Sequence, residues 1–267
     1  MLPEHEIKRE LSLGDVISKM FELYRRDFAK YFVLFAVVGI IIGVVTSLAQ
    51  HYFVLPTLSS NATPQQVLNW LPGFIGALTL LVGSIFAVTV VFFPIAQGSA
   101  IRLASDQIEK GQADLGASIR FAASKLLWIW ALSIVVGVIV GLGFIALIIP
   151  GIILAIMFAL AFPVLLIENR GVLDSMGRSR QLVGQRWLKT LATYIVLAII
   201  VAIASAIVSA ISAPFGVASP VVNGLLSALY QPLFPILLSV YYYSNLARTT
   251  LVTTGPMSMP PPARDAK

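Results

Sequence analysis

Residues 126–167 read LLWIWALSIVVGVIVGLGFIALIIPGIILAIMFALAFPVLLI, 42 residues without a charge, bounded by Lys125 and Glu168. A helix needs about 20 apolar residues to cross a hydrocarbon core about 30 Å thick, so this tract has room for two crossings. Pro150-Gly151 falls where the second one opens.

The pattern extends outward in both directions. All 18 Lys+Arg and 12 Asp+Glu fall in segments 1–30, 102–125, 168–189 and 248–267, leaving two further uncharged blocks, 31–101 and 190–247, of 71 and 58 residues. With 58% hydrophobic and 11% charged residues among 267, and a mean hydropathy of +0.91, a soluble globule is excluded. The expected fold is an all-α integral membrane domain over 1–250. Its six transmembrane helices, near 31–50, 73–100, 126–148, 151–167, 190–212 and 220–246, form three hairpins. A disordered cytoplasmic tail, 251–267, follows, rich in proline. The polar stretch 57–69 is expected as an outside loop.

Each hairpin returns the chain to its starting side, so all charged segments share one face. The positive-inside rule makes that face cytoplasmic, with both termini there, in a cell (inner) membrane. Trp128, Trp130, Tyr241, Tyr242 and Tyr243 are expected at the inner boundary, and Tyr52 and Trp70 near the outer one. No cleavable signal peptide is expected in the charged first 30 residues.

A threefold pattern runs through the chain. Phe93-Pro94, Phe162-Pro163 and Phe234-Pro235 recur in the even spans, the prolines 69 and 72 residues apart. Gly39 and Gly43, Gly137 and Gly141, and Ala198, Ala202, Ala206 and Ala210 form small-residue stripes in the odd spans, of the kind that let helices approach closely. Pro94, Pro163, Pro232 and Pro235 are the candidate kinks. The carbonyls of Val90, Ala159 and Gln231, four residues before the Phe-Pro prolines, need a donor from a neighbour. An amphipathic cytoplasmic surface helix is expected before each hairpin: one capped by Ser12 and Asp15, with Leu13, Val16, Ile17, Met20, Phe21 and Tyr24 on its apolar face, and shorter ones over 115–125 and 172–189. These helices should rest in the headgroup region.

The chemistry of an enzyme is missing. His5 and His51 are expected on opposite faces, the chain has no cysteine, and no acidic residue falls within a span. Ser118, in Gly116-Ala117-Ser118-Ile119, has no histidine partner. No catalytic residue, metal site or cofactor is expected, and no nucleic-acid partner. Asn223, Ser227 and Gln231, four residues apart in the sixth span, form a candidate polar face that either lines a cavity or hydrogen-bonds between helices. Arg170, Arg178, Arg180, Arg186 and Lys189 make 168–189 the most basic inner loop, suited to anionic lipid.

Ile149-Pro150-Gly151-Ile152-Ile153, Phe162-Pro163-Val164, Ile167-Glu168-Asn169-Arg170-Gly171 and Ser175-Met176-x-Arg178-Ser179-Arg180-x-Leu182 together resemble the prokaryotic six-span family named for the membrane region of glycerophosphoryl diester phosphodiesterases. The resemblance is best over 145–190. The phosphodiesterase activity in that name belongs to a separate soluble barrel, so the resemblance carries over no catalytic residue. It implies a membrane module that accompanies another activity, with Glu168, Arg170, Arg178, Ser179 and Arg180 as a structural or lipid-contact clasp. The leading expectation is a non-enzymatic accessory or scaffold in envelope or lipid homeostasis, partnered by membrane lipids. The alternative is a small permease using the kinked even spans.

Overall fold

The computed structural model describes residues 6–253, and among them every regular element is helical. The helices are α1 (Leu13–Arg26), α2 (Phe28–Tyr52), α3 (Pro64–Lys110), α4 (Leu115–Ser124), α5 (Leu126–Ala146), α6 (Ile148–Met157), α7 (Ala161–Ile167), α8 (Val172–Val183), α9 (Trp187–Ser212), α10 (Ser219–Ser227) and α11 (Leu233–Thr253). Short 3-10 turns occupy Gly184–Arg186 and Ala213–Ala218. Among the described residues, five stretches are long and apolar enough to cross a membrane, as an integral membrane protein requires: Phe28–Tyr52, Pro64–Lys110, Leu126–Ala146, Ile148–Ile167 and Trp187–Ser227. The expected tail lies mostly outside the described residues, α11 running into it as far as Thr253.

Local signals set the helix ends. The Asp15 amide donates to Ser12 Oγ at 3.2 Å and the Ser12 amide to Asp15 Oδ2 at 3.3 Å, a reciprocal cap that starts α1. Thr63 and Gln66 make the same box at α3, with Pro64 in the first turn where its missing N–H removes no bond. The polar loop therefore ends at Thr63, and residues 64–69, expected outside any helix, begin α3. Gly111, at φ +70°, closes α3 in the left-handed conformation that costs glycine least. Gly216, at φ +55°, turns the chain between α9 and α10.

The proline steps part ways with the expected kinks. Pro94 lies inside a continuous α3, but Pro163 and Pro235 are each the third residue of a new helix, after breaks at 158–160 and 228–232 that include Pro232. The first N–H groups of a helix have no intrahelical partner anyway, so a proline there is tolerated at a restart more easily than within a turn. The expected span 220–246 is thus two helices, α10 and α11.

The core gathers toward the charged ends of the helices, and α11 is at its centre. Every residue from Ile236 to Asn245 is buried, among neighbours that include α1, α3, α7 and α8. Toward the uncharged ends the packing thins, and no residue in the most apolar stretch of α3 is buried. The three expected surface helices form, but their inner faces turn to protein rather than to headgroups. Val16, Met20, Leu23 and Tyr24 of α1, Ser118 and Ala122 of α4, and Met176, Leu182 and Val183 of α8 are all buried. They make a floor beneath the bundle.

Of the small-residue stripes, one closes a helix pair. Gly39 and Gly43 meet Pro220, Val221 and Gly224 of α10 so closely that a Cβ on Gly43 would lie 2.7 Å from the Val221 Cα. Gly137 and Gly141 face open space, and Ala198, Ala202, Ala206 and Ala210 are exposed. The tight contact in the α5–α6 corner is made instead by Gly143 and Gly151.

Candidate functional site

Breaking a helix in an apolar setting frees backbone groups that must find partners. Trp130 Nε1 donates to the Val90 carbonyl at 2.8 Å, and Tyr194 Oη donates to the Ala159 carbonyl at 3.0 Å. These are two of the three carbonyls marked as needing a donor. In the 228–232 break the Tyr24 hydroxyl donates to the Leu229 carbonyl at 2.8 Å, rather than to that of Gln231. Burial pushes the Tyr24 hydroxyl up to about 12, keeping it protonated as a donor. The three donors share a mark that the sequence gives no reason to single out, a lysine five residues earlier: Lys19, Lys125 and Lys189.

Ser179 closes the fourth-span break from α8. Its Oγ donates to the Met157 carbonyl at 2.8 Å and accepts from the Leu160 amide at 3.1 Å. Beside it, Glu168 accepts from Arg170, from Arg178 Nε at 3.2 Å and from Tyr242 Oη at 2.9 Å. Glu168, Arg170 and Arg178 thus come together just after α7, Ser179 bonds the break before α7 instead, and Arg180 is exposed.

Tyr241, Tyr242 and Tyr243 are all buried at the hub, their rings packed in protein. Successive residues on a helix point about 100° apart, so each reaches a different neighbour. Tyr241 bonds Thr190 of α9 at 2.8 Å, Tyr242 bonds Glu168, and Tyr243 bonds Ser105 of α3 at 2.7 Å as well as Glu109. A further latch joins the two ends of the described chain. Glu10 accepts from Lys189 at 2.6 Å and Arg186 at 3.2 Å, while the Leu11 amide donates to Ser244 Oγ at 2.9 Å. Burial opposes ionisation of Glu10, but the Lys189 hydrogen bond and the surrounding cations outweigh it and hold the carboxyl below its usual range.

Above this floor lie two cavities. The larger, 490 Å³, is lined mainly by apolar side chains of α3, α5, α7, α9 and α11, with Phe93, Phe162 and Phe234 of the three Phe-Pro steps among them. The smaller, 330 Å³, lies between α2 and α10 and includes Thr46, Asn223 and Ser227. Phe93 and Gln231 line both, and neither lining contains a charged residue. The candidate polar face is partly used internally. Asn223 Nδ2 donates to Ser212 Oγ at 3.1 Å, Gln231 Nε2 to Ser227 Oγ at 2.9 Å, and Ser227 Oγ to the Gly224 carbonyl at 3.0 Å. All three residues border the smaller cavity, and the Asn223–Ser212 bond joins α10 to α9, whereas the bonds of Ser227 and Gln231 stay within their own stretch of chain.

No protein-family model, curated protein or solved structure matches the chain.

Proposed function

We propose that this chain is a six-span inner-membrane protein with both termini cytoplasmic, working as a non-enzymatic accessory or scaffold module in envelope or lipid homeostasis. The sixth crossing in this reading is α10 followed by α11. The observation that carries it is the inner floor, in which three helices pack beneath the bundle and α11 is tied to α3, α7 and α9 by its three tyrosines. A floor held by that many buried hydrogen bonds suits a fixed platform better than an alternating gate. The absence of charge from both cavity linings argues in the same direction, because ion-coupled transport usually draws on ionisable groups within the membrane. The exposed Arg180 and neighbouring basic residues offer the platform to anionic lipid or to a protein partner. The resemblance of 145–190 to a family of membrane modules supports this reading too.

The broken fourth and sixth spans favour the second reading, a small permease, since discontinuous helices frame transporter sites. Native mass spectrometry of protein extracted in mild detergent, with proteomics and lipidomics of what stays bound, tests the first reading. A stoichiometric protein partner or a selected anionic lipid is expected. A bare monomer that moves solutes across liposomes on its own overturns it.

A further inference from the structure

We propose that the two cavities form one binding site for an uncharged, hydroxyl-bearing lipid of the diacylglycerol type. The larger cavity falls in the range of about 300–1,000 Å³ found for small-molecule sites, and its walls are those of a hydrocarbon pocket. Of its polar side chains, Ser133 and Tyr194 are bonded to the Ile129 and Ala159 carbonyls, which leaves Gln97, Tyr230 and Gln231, the last shared with the smaller cavity. Gln97 is one helical turn beyond Phe93 on α3, and Tyr230 and Gln231 lie in the α10–α11 break.

The Gln97 amide and the Tyr230 hydroxyl make no hydrogen bond to the protein among the described residues, and neither does the Gln231 Oε1 acceptor left over after its amide binds Ser227. All three residues are half-buried, and a ligand in the cavity supplies the hydrogen-bond partners that the protein does not. The site presents uncharged acceptors and donors for a hydroxyl and an ester. It holds no lysine or arginine for a phosphate, whose recognition depends on such cations. The smaller cavity reaches toward Thr46 and Ser219 at the uncharged ends of the helices, while the larger reaches toward Ile101 and Leu166 at the charged ends. A lipid with its polar end at Gln231 and its chain in the larger cavity matches the hydroxyl and amide lining of the one and the apolar lining of the other.

The site stands independently of the accessory reading, which rests on the floor. The test uses full-length protein in nanodiscs and two photoactivatable probes with identical acyl chains, a diacylglycerol and the corresponding phosphatidic acid. The diacylglycerol should label at least tenfold more, saturably, with crosslinks mapping to 93–97 or 227–234. Filling the chamber with Ala198→Trp or Val201→Phe should remove that labelling, and Gln231→Leu should erase the preference between the probes. Equal labelling of wild type by the two probes overturns the proposal whether or not any variant folds. So does undiminished labelling of Ala198→Trp and Val201→Phe when both melt like wild type.

Discussion

Gly39 and Gly137 are matched in the sequence, each opening a Gly-x-x-x-Gly step in an uncharged span, yet the structure assigns opposite outcomes to Gly39→Ala and Gly137→Ala. A Cβ on Gly39 would lie 2.7 Å from the Gly224 carbonyl carbon and still closer to its oxygen, whereas ordinary contact begins near 3.4 Å. The obstacle is backbone, which cannot rotate aside, so α2 and α10 must separate by about 0.7 Å or more, and overpacking of this kind costs about 1–3 kcal/mol. Separation also loosens the Gly43 contacts with Pro220 and Val221, one turn away, and forfeits dispersion along the pair. Against this stands the gain of about 0.5–1 kcal/mol from replacing a helical glycine by alanine. Nothing lies within 4 Å of a Cβ on Gly137, so there the gain stands alone. Thermal melting of the purified protein in one detergent should place Gly39→Ala below wild type by several degrees, at roughly 2–4 °C per kcal/mol, and Gly137→Ala at or slightly above it. Equal shifts, or a larger fall for Gly137→Ala, would refute the assignment of the first stripe to the α2–α10 contact.

Trp130→Phe and Tyr194→Phe each leave a carbonyl beside a proline without its donor, and each should lower stability by about 1–2 kcal/mol in the same melt. Wild-type melting of both would mean that other groups satisfy Val90 and Ala159. Ser179→Ala removes a donor and an acceptor from the fourth-span break and should cost about 1–3 kcal/mol, with faster hydrogen exchange at the Leu160 amide. The Glu10 latch carries a pH dependence. Because the folded carboxyl is held low, its contribution is complete above the ordinary carboxylate range near 4.3 and is lost as pH falls through the depressed folded value. Glu10→Gln should therefore lower stability by about 1 kcal/mol or less at neutral pH, and the gap to wild type should close in acid; a gap unchanged in acid would exclude this origin.

The bundle's local pieces were legible in the residues themselves. Ser12 and Asp15 mark the start of α1, and Lys125 and Glu168 bound a tract that only membrane helices could fill, because capping and hydropathy act over a few residues. The clasp of Glu168 with Arg170 and Arg178 was also within reach, since these charges crowd around one short turn. Long-range partners were not. Nothing near Tyr194 announces Ala159, and nothing near Tyr242 announces Glu168, because those pairs depend on how helices distant in sequence are set side by side. The Lys-x-x-x-x-aromatic mark before Trp130 and Tyr194 was available, but only the bonds give it meaning.

The sequence by itself thus determined an all-helical membrane chain, its uncharged tracts, its three short amphipathic helices and the proline steps. Tertiary structure alone decided that α11 is at the centre, that the amphipathic helices face protein, that Pro163 and Pro235 restart helices, and that one small-residue stripe of three closes a helix pair. The reason is physical. In water an apolar face must seek the core, so pattern predicts burial, but lipid chains are as apolar as leucine, and a span's apolar residues are equally content against lipid or against another helix.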